Sequence, residues 1–242
     1  MKKLIVILSL FFLISCDENQ LLESSGTIIS KEITVSTFDK INISEGIELH
    51  ITDEVETKVK IVAGEKVIDK VTFSVIENQL FIEATKANQM FKNYEPIKVY
   101  ISVDDLDIIY SASQFNVYSE NILHFTNLHL QSGLYEDTAS GEFHLQVDCN
   151  SLIVEDNRAS FYQISGNVND LSVAFYNGDE RFDGINLIAQ KIYVFQRSSN
   201  DIIVNAQQEI KGIIYSTGNV ILKNNPPLVD VQVLYQGQLI YD

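Results

Sequence analysis

The sequence predicts an all-β fold: a right-handed parallel β-helix, preceded by alternating strands and closed by a C-terminal capping strand. The first observation behind this is a repeat. Between residues 104 and 222, short alternating apolar runs recur, each broken by a small or polar residue: IIYSASQFNV, LHLQSGLYED, LIVEDNRASF, LSVAFYNGDE, YVFQRSSNDIIV and GIIYSTGNVIL. Aligned on the break, they give a column of Ser111, Ser132, Asn157, Asn177, Ser198 and Ser216, at intervals of 21, 25, 20, 21 and 18 residues. Intervals near 20 belong to solenoids, whose units are too short to bury an apolar face alone and must stack on their neighbours. The second observation is composition. The chain has 13 Phe and 11 Tyr, no Trp and many β-branched residues, which suits strands. The third is a period of two from Lys31 to Val103, the mark of half-buried strands.

In chain order, residues 1–15 (MKKLIVILSLFFLIS) carry two lysines and an apolar run too short to span a membrane, as in a secretory signal peptide. The run ends in Leu13-Ile14-Ser15-Cys16, which resembles a bacterial lipobox. That resemblance implies cleavage before Cys16, lipidation of Cys16, and anchoring to the membrane through its acyl chains. Residues 16–30 are polar at first and contain Ser-Ser-Gly, consistent with a tether. Residues 31–242 form one domain. Strands occupy 31–103, where Ile47, Leu49 and Ile51 alternate with polar neighbours, Glu65–Lys70 supplies a short helical turn, and Lys86–Glu95 is an exposed loop. The coils follow over 104–222. Residues 223–242, which contain Pro226-Pro227, break the repeat and are assigned to a cap.

With 33 Asp plus Glu against 17 Lys plus Arg, the net charge is −16. Such a surface repels phosphate backbones, so nucleic acid is excluded as a partner. The chain lacks a nucleophile elbow, HExxH, phosphate loop, CxxC pair and dinucleotide fingerprint, so no catalytic residue, resident metal or cofactor is assigned. Cys149 has no histidine beside it and reads as a small buried residue. His124 and His129 are five apart, on opposite faces of a strand, which disfavours a metal pair.

Acidic residues recur beside the turns: Glu136 and Asp137, Glu155 and Asp156, Asp179 and Glu180. Stacked like charges must fan into solvent, alternate with a base such as Arg158 or Arg181, or share a cation. Glu136, Asp137, Asp156, Asp179, Glu180 and Arg181 are therefore the candidate binding surface, with Tyr and Phe residues near the same turns. Two carboxylates could also serve glycoside hydrolysis. Asp137-Thr138-Ala139 resembles an O-glycosylation signal of exported bacterial proteins.

The strings FDKINISEGIELHI, VIENQLFI, IKVYISVDDLDIIYSAS and STGNVILKNNPPLV, taken in this order, resemble the auto-transporter adhesin family built on the head GIN domain. The resemblance covers nearly all of residues 27–242 and implies a parallel β-helix in an exported protein or lipoprotein. Gly133, Gly178 and Gly218 fit the family's turns, whereas Ala112, Arg158 and Ser199 stand where glycine is common. The expected function is non-catalytic binding or adhesion at the bacterial cell envelope, on an outer membrane lipoprotein, towards glycan or protein. The alternatives are a polysaccharide-acting enzyme and a periplasmic scaffold.

Overall fold

The structure is a computed structural model that describes residues 25–84, 96–135 and 139–242. The signal segment, Cys16, most of the tether, the 86–95 loop, Glu136, Asp137 and Thr138 lie outside the described residues. The strands run β1 (Ile28–Ile33), β2 (Lys40–Ile43), β3 (Ile47–Asp53), β4 (Lys58–Gly64), β5 (Thr72–Ile76), β6 (Gln79–Glu83), β7 (Ile97–Val103) and β8 (Ile108–Ser111). They continue as β9 (Val117–Leu123), β10 (Asn127–Ser132), β11 (Glu142–Asp156), β12 (Phe161–Phe175), β13 (Arg181–Gln196), β14 (Ile202–Ile214), β15 (Val220–Leu222), β16 (Leu228–Val233) and β17 (Leu239–Tyr241). One 3-10 turn, Ile68–Lys70, interrupts them where the sequence predicts it.

Parallel pairing builds a two-faced solenoid. On the first face the order is β7, β3, β9, then the first halves of β11 to β14, then β15 and β17. On the second it is β6, β2, β8, β10, then the second halves of β11 to β14, then β16. Strands β11 to β14 serve both faces by bending midway, near Asn150 in β11. Residues of one parity point inward between the faces, as Ile47, Leu49 and Ile51 do in β3 and Ile97, Val99, Ile101 and Val103 in β7. They join one continuous core, in which each buried aliphatic side chain contributes about 1.5–3 kcal/mol.

Several boundaries differ from the sequence reading. Coils start at β2 rather than at residue 104, because β6–β7 and β8–β9 stack on opposite sides of β2–β3. The order of coils is therefore not the order of the chain there. Residues 28–30, placed in the tether, belong to β1, which pairs antiparallel with β4. The segment 223–242 does not depart from the repeat; β16 and β17 pair in parallel with β14 and β15 and add a further coil. The end that is closed by crossing strands is the other one, where β4 and β5 pair antiparallel with β7 and β6. Such strands protect an edge that would otherwise pair with other chains.

The turn column also needs a correction. Ser111 and Ser132 align with Asp156, Phe175, Gln196 and Ile214, not with Asn157 and Asn177. Turns of unequal length follow this corner, so aligning on polar residues merges positions that lie one or two residues beyond the aligned column.

Candidate binding face

The outward column of the first face is set by register. Lys60, Tyr100, His50, Tyr118, His144, Gln163 and Asp183 stand side by side on consecutive strands, each flanked by inward core residues. Neighbouring strands lie about 4.8 Å apart, and the rings stack at that scale. His50 lies 4.5 Å from Tyr100 and 5.2 Å from Tyr118, centroid to centroid, and Tyr118 lies 5.3 Å from His144. The Lys60 ammonium covers the far side of Tyr100 at 4.6 Å, a cation–π contact. Ring faces are thus turned to one another, and ring edges meet the solvent.

Carboxylates line both flanks of this stack. The His50 ring nitrogens meet Glu48 at 2.8 Å and Glu120 at 2.6 Å, and Lys98 also reaches Glu48, at 2.9 Å. His144 meets Glu142 at 2.7 Å and the Gln163 amide oxygen at 2.9 Å. Burial pushes the Glu48 carboxyl up, but the hydrogen bonds from His50 and Lys98 outweigh it and leave it below the usual carboxylate range. The Tyr118 hydroxyl accepts from Asn116 at 2.8 Å, and Asn116 in turn accepts from the Glu142 backbone N–H at 3.0 Å. Every member of the ladder is held by a neighbour, so its geometry is set before any ligand arrives.

Two grooves adjoin the ladder. One, of about 490 Å³, lies at the Tyr100 end between residues 32–37 and β4. The other, of about 450 Å³, is lined by Glu120, His144, Gln146, Gln163, Asp183 and Asn186, among others. Its cause is local. Between His144 and Gln146, between Gln163 and Gly166, and between Asp183 and Ile188, the register shifts in successive coils. Bulges bend a strand and re-aim its side chains, and three in line open a trough. Ile185, 42% exposed, gives the trough an apolar patch among amides and carboxylates.

The turn residues chosen from sequence do not form one surface. Asp179 and Arg181 are exposed, and the Arg181 guanidinium lies over the Phe161 ring at 5.1 Å. Asp156 and Glu180 are fully buried, which corrects their placement on a solvated binding surface. The reason is parity: Leu152, Val154 and Asp156 all point inward, as do Glu180 and Phe182. Asp156 accepts from the Arg158 backbone N–H at 2.9 Å and from the Tyr162 hydroxyl at 3.0 Å. Neither oxygen of Glu180 has a hydrogen-bond partner. Burial pushes the Asp156 carboxyl up to about 6, despite those bonds, and pushes Glu180 up to about 8, with the Asp156 charge adding to it.

Around these acids the corner is polar and well bonded. Ser132 and Ser160 hydroxyls meet at 2.8 Å, Ser198 donates to the Glu180 carbonyl at 2.9 Å, and Gln196 donates to the Asn200 carbonyl at 2.6 Å. On the second face, Glu155 is held by His129 at 2.8 Å, by Gln131 and by the Tyr176 hydroxyl. Cys149 is a buried free thiol, pushed up to about 12 by burial and by the Asp148 charge. Among the described residues no three His, Cys, Asp or Glu side chains converge as a metal set.

The family described as "Putative auto-transporter adhesin, head GIN domain" matches residues 37–226. The chain belongs to this family. The matched span runs from β2 to the turn after β15 and so includes most of the solenoid's coils, though not β16 and β17. Among solved structures, the chain is similar to a "putative adhesin" from Bacteroides fragilis, with a TM-score of 0.83 and 20% identity over 91% of this chain and 100% of that one. It is also similar to a "putative adhesin" from Parabacteroides distasonis, with a TM-score of 0.61 and 15% identity over 91% of this chain and 99% of that one. A "putative lipid binding protein" from the same species gives a TM-score of 0.61 and 13% identity over 91% and 99%. These likenesses establish a shared fold. No curated protein matches the sequence.

The ladder was not singled out from sequence, yet a signal for it was present. His50, Tyr100, Tyr118 and His144 each sit between or beside inward apolar residues at the same step of alternation, as in Leu49-His50-Ile51 and Phe143-His144-Leu145. Reading β2–β3 and β6–β7 as coils would have aligned them.

Proposed function

We propose that this protein is a lipid-anchored cell-envelope adhesin that binds glycan, without turning it over, in the trough beside the first-face ladder. The observation that carries this reading is the pre-set row of Tyr118, His144, Gln163 and Asp183 along a groove of about 450 Å³. Its lining offers amides, hydroxyls and carboxylates as paired donors and acceptors, with Ile185 as an apolar contact. That chemistry suits a polyhydroxylated ligand. Rigid strands spare the ordering cost that weakens loop-borne sites. The acidic rim, Glu120 and Asp183, and the net charge of −16 favour neutral over anionic glycans. The family description points the same way, towards adhesion at the cell surface.

Hydrolysis is the competing reading, and it needs two carboxylates across an open cleft. Asp156 and Glu180 face the inside of the corner, and Glu48 and Glu120 are both engaged by His50. A glycan array probed with the purified chain, followed by product analysis on each hit, tests the proposal. Retention of intact neutral glycans supports it, and released fragments would overturn it in favour of an enzyme. The anchor is tested separately: Cys16→Ser is expected to abolish fatty-acid labelling, and persistent labelling would contradict it.

A further inference from the structure

The corner holds an anomaly that the binding face does not explain. Glu180 is fully buried, and neither of its carboxylate oxygens makes a hydrogen bond among the described residues, although the backbone N–H groups of Glu180 and Asn177 lie near enough to favour its charged form. Buried polar groups without partners are rare in native proteins, and an ion or a water accounts for many of them. A second fully buried carboxylate, Asp156, acts electrostatically on Glu180, as the Glu180 charge does on Tyr162. The side chains bonded around Asp156 bring hydroxyls: Ser132 and Ser160, 2.8 Å apart, and Tyr162, which donates to Asp156 at 3.0 Å.

We propose that this chamber is a calcium site, with Glu180 and Asp156 as its charged ligands. Three features fit that ion. All donors are oxygens, which suits a hard cation rather than zinc or copper. Two carboxylates balance a double positive charge, so the loaded corner is neutral. Calcium also accepts six to eight oxygens at irregular angles, a demand that Glu180, Asp156 and the three hydroxyls together can approach. Any proton on Glu180 leaves to solvent as the metal enters, so charge balances at each step. Access is at hand: a groove of about 310 Å³, lined by Asn157, Arg158, Asn177, Gly178 and Asp179 among others, runs over the two turns that carry the acids. The ion would clamp the β11–β12 turn to the β12–β13 turn, and so join adjacent coils.

Thermal melts of the purified chain in chelator and in millimolar calcium chloride test this, beside Glu180→Gln and Asp156→Asn. A calcium-dependent rise in Tm of several degrees is expected for the unaltered chain and not for Glu180→Gln, which is close in shape and keeps the fold. Terbium added in place of calcium should show tyrosine-sensitised emission, with Tyr162 as donor, and the emission should fall at least tenfold in Glu180→Gln. Two results would overturn the site. One is the absence of any calcium-dependent shift. The other is a shift or emission of equal size in both variants, which would place the cation on the acidic exterior.

Discussion

On the first face, Glu48 and Glu142 reach imidazole nitrogens at 2.8 and 2.7 Å and sit at the edge of solvent. At the corner, Asp156 and Glu180 have the same chemistry and no solvent, and Glu180 has no partner either. One step of strand parity separates these fates. A carboxylate on the outward step becomes part of a rigid, hydrated outer face, and its pairing is worth little to stability. One on the inward step costs desolvation that a proton or a cation must relieve.

The sharpest way to break this comparison is to place a third acid on the inward step where no oxygen surrounds it. Val173 is fully buried in β12, between Val154 and Val194 of adjacent strands. Val173→Asp is expected to cost on the order of 5 kcal/mol and to loosen both neighbouring coils. Denaturant melts with amide exchange check it, and loss of protection confined to β12 would contradict a shared core.

The next effect is pH. Glu180 titrates near 8 in the folded chain and Asp156 near 6, both above their ordinary values of 4.5 and 3.8. Their contribution is complete below about pH 4, where folded and unfolded chains are both protonated. It falls as pH rises, because the unfolded chain releases its protons first. In chelator, stability should therefore drop by roughly 7 kcal/mol between pH 4 and pH 9, the larger share from Glu180, and Glu180→Gln should remove most of the drop. A flat profile for the unaltered chain, read from urea midpoints, would contradict the buried-acid account.

Gly178 tests how closely the corner turns stack. Its φ is +99°, and a Cβ there would lie 2.0 Å from the Arg158 carbonyl oxygen. Gly178→Ala is expected to cost about 1–3 kcal/mol, seen as a lower Tm. The smallest expected change in stability is on the face: His144→Ala should cost about 1 kcal/mol or less, since its contacts are half-exposed, while weakening glycan binding at least tenfold.

Much of this fold is legible in residues such as Leu152, Val154 and Ile192, whose alternation and near-20 spacing specify stacked strands. Two things were not legible. The excursion of β4 and β5 sends the chain to the end of the stack before β6–β7 return, so His50 meets Tyr100 and Tyr118 across sequence gaps that no local period encodes. Asp156 and Glu180 carry polar identities that argue for solvent, and the parity of their strands overrides those identities. Following parity through Leu152-Ile153-Val154-Glu155-Asp156 places Asp156 inside. The residues that line the trough follow the outward step of a regular strand, as at His144 and Gln163, rather than the acidity of a turn.

We assign recognition to the first face and not to the turns. Amide hydrogen exchange of the full chain, with and without the strongest glycan from the array, tests it most directly. The account predicts new protection in β9 and in the first halves of β11, β12 and β13, around Tyr118, His144, Gln163 and Asp183, with the turns at 157–159 and 177–179 unchanged. Protection centred on those turns, with the ladder strands unaffected, would contradict it.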